Sequence, residues 1–255
     1  MLIGLSGGID SALVLAIAVD ALGKDRVQAA FLPSRYTDKL SYDIVQAVTK
    51  KLKIQFSTLS IEPSFSAFLT TLGFDAKLPP RGLTSENIQA RCRGVLLMAL
   101  SNQSGDLLLN CTNKSELAMG YGTLYGDLTG GFAVLKDVSK TRVYELTNFR
   151  NVDDVFPYEL LTRSPTAELA ENQKDEDILP PYSQLDPILE LYVEQHKSVD
   201  DIVKAGFSKE IVQRIVSSVD KNEFKRRQLA PGPKITPHAF NRERRFPITS
   251  GFLLP

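Results

Sequence analysis

Over roughly its first 110 residues the chain alternates short, continuous apolar runs with longer stretches in which apolar residues recur every three or four positions. The runs Leu2–Leu5, Val27–Leu32, Ile54–Leu59 and Leu107–Cys111 read as buried strands. Between them, Ala12–Leu22, Tyr42–Leu52, a segment near Phe65–Leu72 and a long stretch from about Ser85 to Asn102 read as helices. The last two are separated by a Pro-Pro loop at 77–82. Strands alternating with helices at this spacing predict an α/β fold built on a doubly wound parallel sheet. In such sheets ligands bind beyond the carboxyl ends of the strands, so the residues after Leu5 and after Cys111 are where chemistry is expected.

The pattern changes further along. Gly120–Gly131 is rich in glycine, threonine and tyrosine, has no clean period and reads as a functional loop. Beyond Arg150 come two proline-bearing segments, Ser164-Pro165-Thr166 and Leu179-Pro180-Pro181-Tyr182. Amphipathic helices near Leu185–Gln195 and Lys209–Val219 follow, so residues 185–255 are expected to be a helical, basic C-terminal portion of one domain spanning 1–255. No internal repeat is present. The tail carries Lys225-Arg226-Arg227 and Arg242, Arg244 and Arg245 with few acids among them, which predicts either a solvated basic face or a site for a small anion.

Composition narrows the function classes. At 255 residues the chain is long enough for one large domain with a sizeable core. Thirty basic and thirty acidic residues cancel, so the global field gives no reason to expect a nucleic acid or an anionic membrane as partner. No apolar run approaches a membrane span and the N-terminus reads as a strand rather than a secretory signal, which together predict a cytoplasmic location. Cys92 and Cys111 have no second cysteine or histidine at metal-ligand spacing and are expected to be reduced, buried thiols. His196 and His238 belong to no acid/base constellation and read as structural or exposed.

The densest chemistry lies between the first strand and the first helix, in Ser6-Gly7-Gly8-Ile9-Asp10-Ser11. Gly7 and Gly8 have no Cβ, so the backbone can bend sharply and bring its N–H groups against a phosphate. The Ser6 and Ser11 hydroxyls add donors, and the helix that follows aims its positive end and unpaired first-turn N–H groups at the same anion. A carboxylate beside phosphates repels them unless a hard cation lies between, so Asp10 reads as a Mg²⁺ ligand. No lysine follows the glycines, so this is not a Walker-type loop. It resembles instead the loop of the N-type ATP pyrophosphatases, which split ATP into AMP and pyrophosphate while adenylating a carboxylate or carbonyl oxygen.

Several further motifs follow in order: Glu86-Asn87-Ile88-Gln89-Ala90-Arg91, Thr112-Asn113-Lys114-Ser115-Glu116, Gly120-Tyr121-Gly122-Thr123, Tyr125-Gly126-Asp127, and Lys136-Asp137-Val138-Ser139-Lys140-Thr141. They continue through Ser164-Pro165-Thr166-Ala167-Glu168-Leu169 and Leu179-Pro180-Pro181-Tyr182 to Lys225-Arg226-Arg227-Gln228 and Arg244-Arg245-Phe246-Pro247-Ile248-Thr249. Jointly, over nearly the whole chain, these resemble the synthetase domain of the glutamine-dependent NAD synthetases. The resemblance implies an adenine nucleotide alpha-hydrolase-like (Rossmann-like) fold and an ATP-dependent amidation. In that reaction the carboxylate of deamido-NAD attacks the α-phosphate of ATP, pyrophosphate leaves, and ammonia displaces AMP to give NAD.

Carried over residue by residue, the resemblance makes Asp10 and Glu116 magnesium ligands. Gly4, Ser6, Gly7, Gly8, Asp10, Ser11, Thr112, Lys140 and Thr166 become the ATP-binding positions, with Asp10 and Lys140 in the catalytic role. Asn87, Arg93, Glu116, Asp127 and Lys225 become contacts to the dinucleotide, Arg93 and Lys225 suiting its pyrophosphate bridge. The family also implies a homodimer with deamido-NAD across its two-fold interface. An amidase domain supplying ammonia stands ahead of this segment in the glutamine-dependent form; none is present in these residues, and the tail motifs match that longer form. The same loop occurs in GMP, asparagine and argininosuccinate synthetases and in tRNA-thiolating enzymes, and a non-catalytic nucleotide-binding module is a further alternative. A tRNA enzyme would be expected to show a basic face and a cysteine pair, neither of which the sequence displays.

Overall fold

The computed structural model describes residues 1–241 and 243–249; Arg242 of the basic tail lies outside them. Five short strands form one parallel sheet: β1 (Leu2–Gly4), β2 (Gln28–Phe31), β3 (Phe56–Thr58), β4 (Leu108–Asn110) and β5 (Phe132–Ala133). The order is β3-β2-β1-β4-β5, with Ile3 level with both Ala29 and Leu109. The connectivity reverses direction between β1 and β4, and the crevice at that switch point is where a doubly wound sheet takes its ligand.

The two faces of the sheet follow from side-chain alternation along each strand. Leu2, Ala30 and Leu108 pack on one face with Phe65, Leu69 and Cys92, beneath α3 (Glu62–Thr71) and α4 (Leu83–Ser104). Ile3, Ala29 and Leu109 turn to the other, against α1 (Ile9–Leu22), α2 (Lys39–Leu52) and α6 (Lys140–Arg150). With both faces covered, a strand residue such as Ile3 is wholly buried, a burial that contributes about 1.5–3 kcal/mol. α1 is apolar around most of its circumference for the same reason: it is sandwiched between the sheet, α2 and α6.

Beyond the sheet, α5 (Lys114–Met119), α8 (Tyr182–Leu189), α9 (Val199–Lys204) and α10 (Lys209–Lys221) surround a second core of Leu185, Ile188, Val212, Ile215, Val216 and Val219. α7 (Tyr158–Thr162) and α11 (Glu223–Arg226) complete the α-helices among the described residues. The stretch expected as a single helix near Leu185–Gln195 instead starts at Tyr182 and passes after Leu189 into a π-helical turn, Glu190–Glu194. Pro187 lies inside α8 and lacks the N–H that a regular helix needs.

Several of the tail's basic residues are engaged within the fold. The Arg226 guanidinium is buried and donates to the carbonyls of Leu117, Ala118 and Val219, tying α11 to α5 and α10. Arg227 pairs with Glu223 at 2.5 Å, and Arg244 stacks over the rings of Tyr192 and Phe246. His196 and His238 meet each other, Nε2 to Nε2, at 3.1 Å. Cys92 is buried and Cys111 half-buried, and both are free thiols.

Candidate active site

The loop after β1 is shaped by Gly7 and by what lies behind it. Gly7 has φ +87°, and a Cβ there would come within 2.6 Å of the Ser41 carbonyl oxygen on α2, so only glycine fits both the turn and the approach. Ser6 and Ser11 share a hydroxyl contact at 3.1 Å, Ser11 Oγ accepts from Ser6 N–H at 3.2 Å, and Ser6 Oγ accepts from Gly8 N–H at 3.2 Å. α1 begins after Gly8 with no side-chain cap. Its first-turn N–H groups therefore have no capping side chain, and the residues that carry them, Ile9, Asp10 and Ser11, line the crevice, an arrangement that favours a bound anion.

A charged cluster stands directly beside this cradle. Asp10, in the first turn of α1, pairs with Lys140 Nζ at 2.5 Å and accepts from Asn113 Nδ2 at 2.9 Å. Glu116, in the first turn of α5, lies 3.9 Å from the same ammonium. Asn113 and Glu116 form a capping box that fixes the start of α5, so one asparagine caps a helix and orients Asp10 at once. Lys140 opens α6, where Ser115 Oγ accepts its backbone N–H at 2.9 Å and Asp186 accepts the N–H of Thr141 at 2.8 Å. The starts of α1, α5 and α6 thus bring two carboxylates and one ammonium to a single point.

Electrostatics there are set by burial. Desolvation pushes the Glu116 carboxyl well above the usual range and Asp10 adds to the effect, while Lys140 opposes it. Burial alone would lower the Lys140 pKa, but Asp10 and Glu116 together outweigh it and raise the value. Burial, with Asp10 and Glu116, also raises the Cys111 thiol, which is therefore a poor nucleophile.

A cavity of about 300 Å³ opens over the cradle. Gly4, Ser6, Gly7, Gly8, Asp10, Ser11, Arg93, Thr112, Glu116, Asp127, Lys140 and Thr166 all line it. Asn87 and Lys225 do not: Asn87 accepts from the Thr123 hydroxyl at 2.7 Å, and Lys225 donates to the carbonyls of Gly120 and Gly122 at 2.7 and 2.9 Å. Both instead brace the 120–127 loop, which carries Asp127. Gly94 and Gly126 let α4 and that loop meet: a Cβ on Gly94 would lie 2.6 Å from the Tyr125 carbonyl oxygen. Asp127 accepts from Thr123 N–H at 2.7 Å and is held above the usual carboxylate range by burial. Arg93 donates to the Leu32 carbonyl at 2.9 Å.

The far wall is the 163–175 segment. Arg163 reaches the Ser41 hydroxyl at 2.6 Å and pairs with Glu168, locking this wall to α2 behind Gly7. Thr166 donates to the Gln173 carbonyl at 2.5 Å. Ser41, Asn113, Arg163 and Asp175 were not among the residues predicted from the sequence. Only Asn113 had a local signal, the Asn-x-x-Glu spacing of a capping box. A second cavity, lined by Tyr192, His196, Lys209 and Arg244, contains none of the predicted residues.

The donor set suits polyphosphate handling: a glycine-built anion cradle, an uncapped helix start, two carboxylates and a buried lysine. A family model described as NAD synthase matches residues 1–229. The glutamine-dependent NAD(+) synthetase of Acinetobacter baylyi is 50% identical over 255 residues, covering 99% of this chain and 47% of that protein. Among solved structures, the glutamine-dependent NAD+ synthetase of Acinetobacter baumannii in complex with ADP is 46% identical with a TM-score of 0.62, covering 100% of this chain and 46% of that one. The NMN synthetase of Francisella tularensis is 29% identical with a TM-score of 0.74, covering 92% and 89%. The chain thus spans about half the length of its full-length relatives in Acinetobacter. With the doubly wound sheet, the cradle at its switch point and a family match running through both, the chain belongs to the NAD synthase family.

Proposed function

We propose that this chain carries out the ATP-dependent amidation of deamido-NAD to NAD, through an adenylated carboxylate and with release of AMP and pyrophosphate. The observation that carries the proposal is the convergence of the Ser6–Ser11 cradle with Asp10, Glu116 and Lys140 on one cavity, in a member of the NAD synthase family. The ADP held by the Acinetobacter baumannii relative supports an adenine nucleotide as occupant.

A carboxylate oxygen is a poor leaving group, and adenylation makes it the bridging oxygen of a mixed carboxylic–phosphoric anhydride, so that it departs with AMP when ammonia attacks. The departing pyrophosphate concentrates negative charge, which the site meets with preorganised donors. The N–H groups of the cradle and the hydroxyls of Ser6 and Ser11 hold the departing phosphates, with Lys140 as their counter-charge. Thr112 and Thr166 flank the nucleotide, while Arg93, Asp127, Asn87 and Lys225 hold the dinucleotide directly or through the 120–127 loop.

The residues present also fit a hard divalent cation. Asp10 and Glu116 are two oxygen donors brought to one ammonium in a buried site, where burial first and the Asp10 charge second raise the Glu116 pKa. Mg²⁺ held there supplies charge neutralisation for the phosphates. The nitrogen donor is ammonia, free or delivered by an amidase domain of the kind the glutamine-dependent relatives carry. A homodimer in the cytoplasm completes the proposal. Exchange of labelled pyrophosphate into ATP tests it: exchange that requires deamido-NAD but no ammonium supports the adenylate, and exchange independent of deamido-NAD overturns the assigned acceptor.

A further inference from the structure

Lys140 has a third neighbour besides Asp10 and Glu116. Its Nζ lies 5.6 Å from the centre of the Tyr182 ring, within range of a cation–π attraction. The Tyr182 hydroxyl in turn donates to Asp175 Oδ2 at 3.0 Å, and the Tyr121 hydroxyl donates to Asp175 Oδ1 at 3.2 Å. Asp175 is 4% exposed and lines the same cavity as the Ser6 loop. Its backbone is fixed as well, with its N–H on the Pro165 carbonyl at 3.1 Å and its own carbonyl accepting from Leu179 N–H at 2.8 Å. A buried carboxylate whose two oxygens are used by two phenols, with no ion pair among the described residues and Lys140 acting on it only from longer range, is an expensive arrangement unless its charge has work to do.

The charge count shows what that work is. Asp10 and Glu116 set two negative charges against the single positive charge of Lys140 as the molecule stands. Once a divalent cation takes those two carboxylates their charge is spent on it, and the negative charge left near Lys140 is that of Asp175. A phenol that donates to a carboxylate carries extra electron density in its ring, which strengthens that ring's hold on an ammonium.

The geometry points to Asp175 as a positioning residue for Lys140: acting through Tyr182, it keeps the ammonium at the phosphate end of the cavity after the cation has taken Asp10 and Glu116. This assignment rests on the functional reading above and deepens it. In Asp175→Asn the shape and one phenol contact are retained and the charge is lost. The test has two readouts on the full chain: calorimetric affinity for Mg·ATP without turnover, and acylation of Lys140 by an amine reagent, located by peptide mass spectrometry.

In the wild-type chain Lys140 stays protected whether or not Mg²⁺ is present. In Asp175→Asn it is protected without Mg²⁺ and becomes reactive when Mg²⁺ is added, and Mg·ATP affinity falls about tenfold with the thermal midpoint little changed. Tyr182→Phe, which keeps the ring and loses the hydroxyl, shows a smaller loss in the same direction. Unchanged affinity in Asp175→Asn, or weakened affinity with Lys140 still protected under Mg²⁺, would overturn the assignment while leaving the functional reading intact. Failure of the wild-type chain to bind Mg·ATP would overturn the functional reading and this assignment with it.

Discussion

Replacing Lys140 by methionine keeps most of the side chain's length and removes the ammonium that touches both Asp10 and Glu116. Lys140 is 3% exposed, with its partners at 17% and 16%, so two carboxylates would be left facing each other with little access to solvent. Breaking a buried pair by removing one partner costs about 3–5 kcal/mol. For a chain of this size each kcal/mol shifts the midpoint by roughly 2–4 °C, so the variant should melt on the order of 10 °C lower in EDTA. Divalent cation should reverse this selectively, because Asp10 and Glu116 are then free to bind it. At a hundred times its dissociation constant a ligand adds about 2.7 kcal/mol, so millimolar Mg²⁺ should recover much of the loss in Lys140→Met and stabilise the wild-type chain far less. Adding Asp10→Asn to the variant should also recover stability, by removing one of the opposed charges. The assay is urea or thermal unfolding of the three proteins with EDTA and with Mg²⁺. Equal stability of Lys140→Met and wild type in EDTA, or equal response to Mg²⁺, would refute the reasoning.

Other substitutions test other parts of the site. Burial holds the folded-state pKa of Asp127 above its unfolded value, so its charged form destabilises the fold at neutral pH and the penalty is absent below the unfolded pKa of about 3.9. Asp127→Asn, which can still accept from Thr123 N–H, should therefore melt higher than wild type at pH 7 and no higher near pH 4, while losing affinity for deamido-NAD; paired melting curves check the first point and calorimetry the second. Asn113→Ala removes both the capping box of α5 and the hydrogen bond to Asp10, and should lower stability by about 1–2 kcal/mol in urea titrations and impair pyrophosphate exchange. Gly94→Ala places a Cβ against backbone oxygen of the Asp127 loop and should cost about 1–3 kcal/mol, with a loss of dinucleotide affinity larger than the loss of nucleotide affinity.

What could be read in the sequence was what lies close together along it. The β1–loop–α1 unit is contiguous, and its glycines, hydroxyls and carboxylate carry their own geometric reasons. The strands and the helices through α4 follow from periodicity because both faces of the sheet are covered and the apolar runs are unbroken. α6 escaped that reading because it buries only Lys140, Val143 and Thr147 and so has no apolar stripe. α5 has six residues and β5 two, too few for any period to register. The site itself is assembled from distant pieces. Asp10 and Asn113 are 103 positions apart, and Asp10 and Lys140 are 130. No local pattern joins them, and family motifs were needed to name Glu116 and Lys140. The basic tail shows the opposite failure: Arg226 looks like a surface charge in sequence, yet three backbone carbonyls left over at helix ends make it an internal strut.

The most direct test of the central claim is the product formed from ATP, Mg²⁺, ammonium and a nicotinate acceptor, with deamido-NAD and nicotinate mononucleotide offered in separate reactions. The account predicts NAD from deamido-NAD, one AMP and one pyrophosphate per NAD, and loss of all three in Asp10→Ala. Amidation of the mononucleotide alone would contradict the assigned substrate, and AMP and pyrophosphate absent with either acceptor would contradict the chemistry assigned to the Ser6–Ser11 cradle.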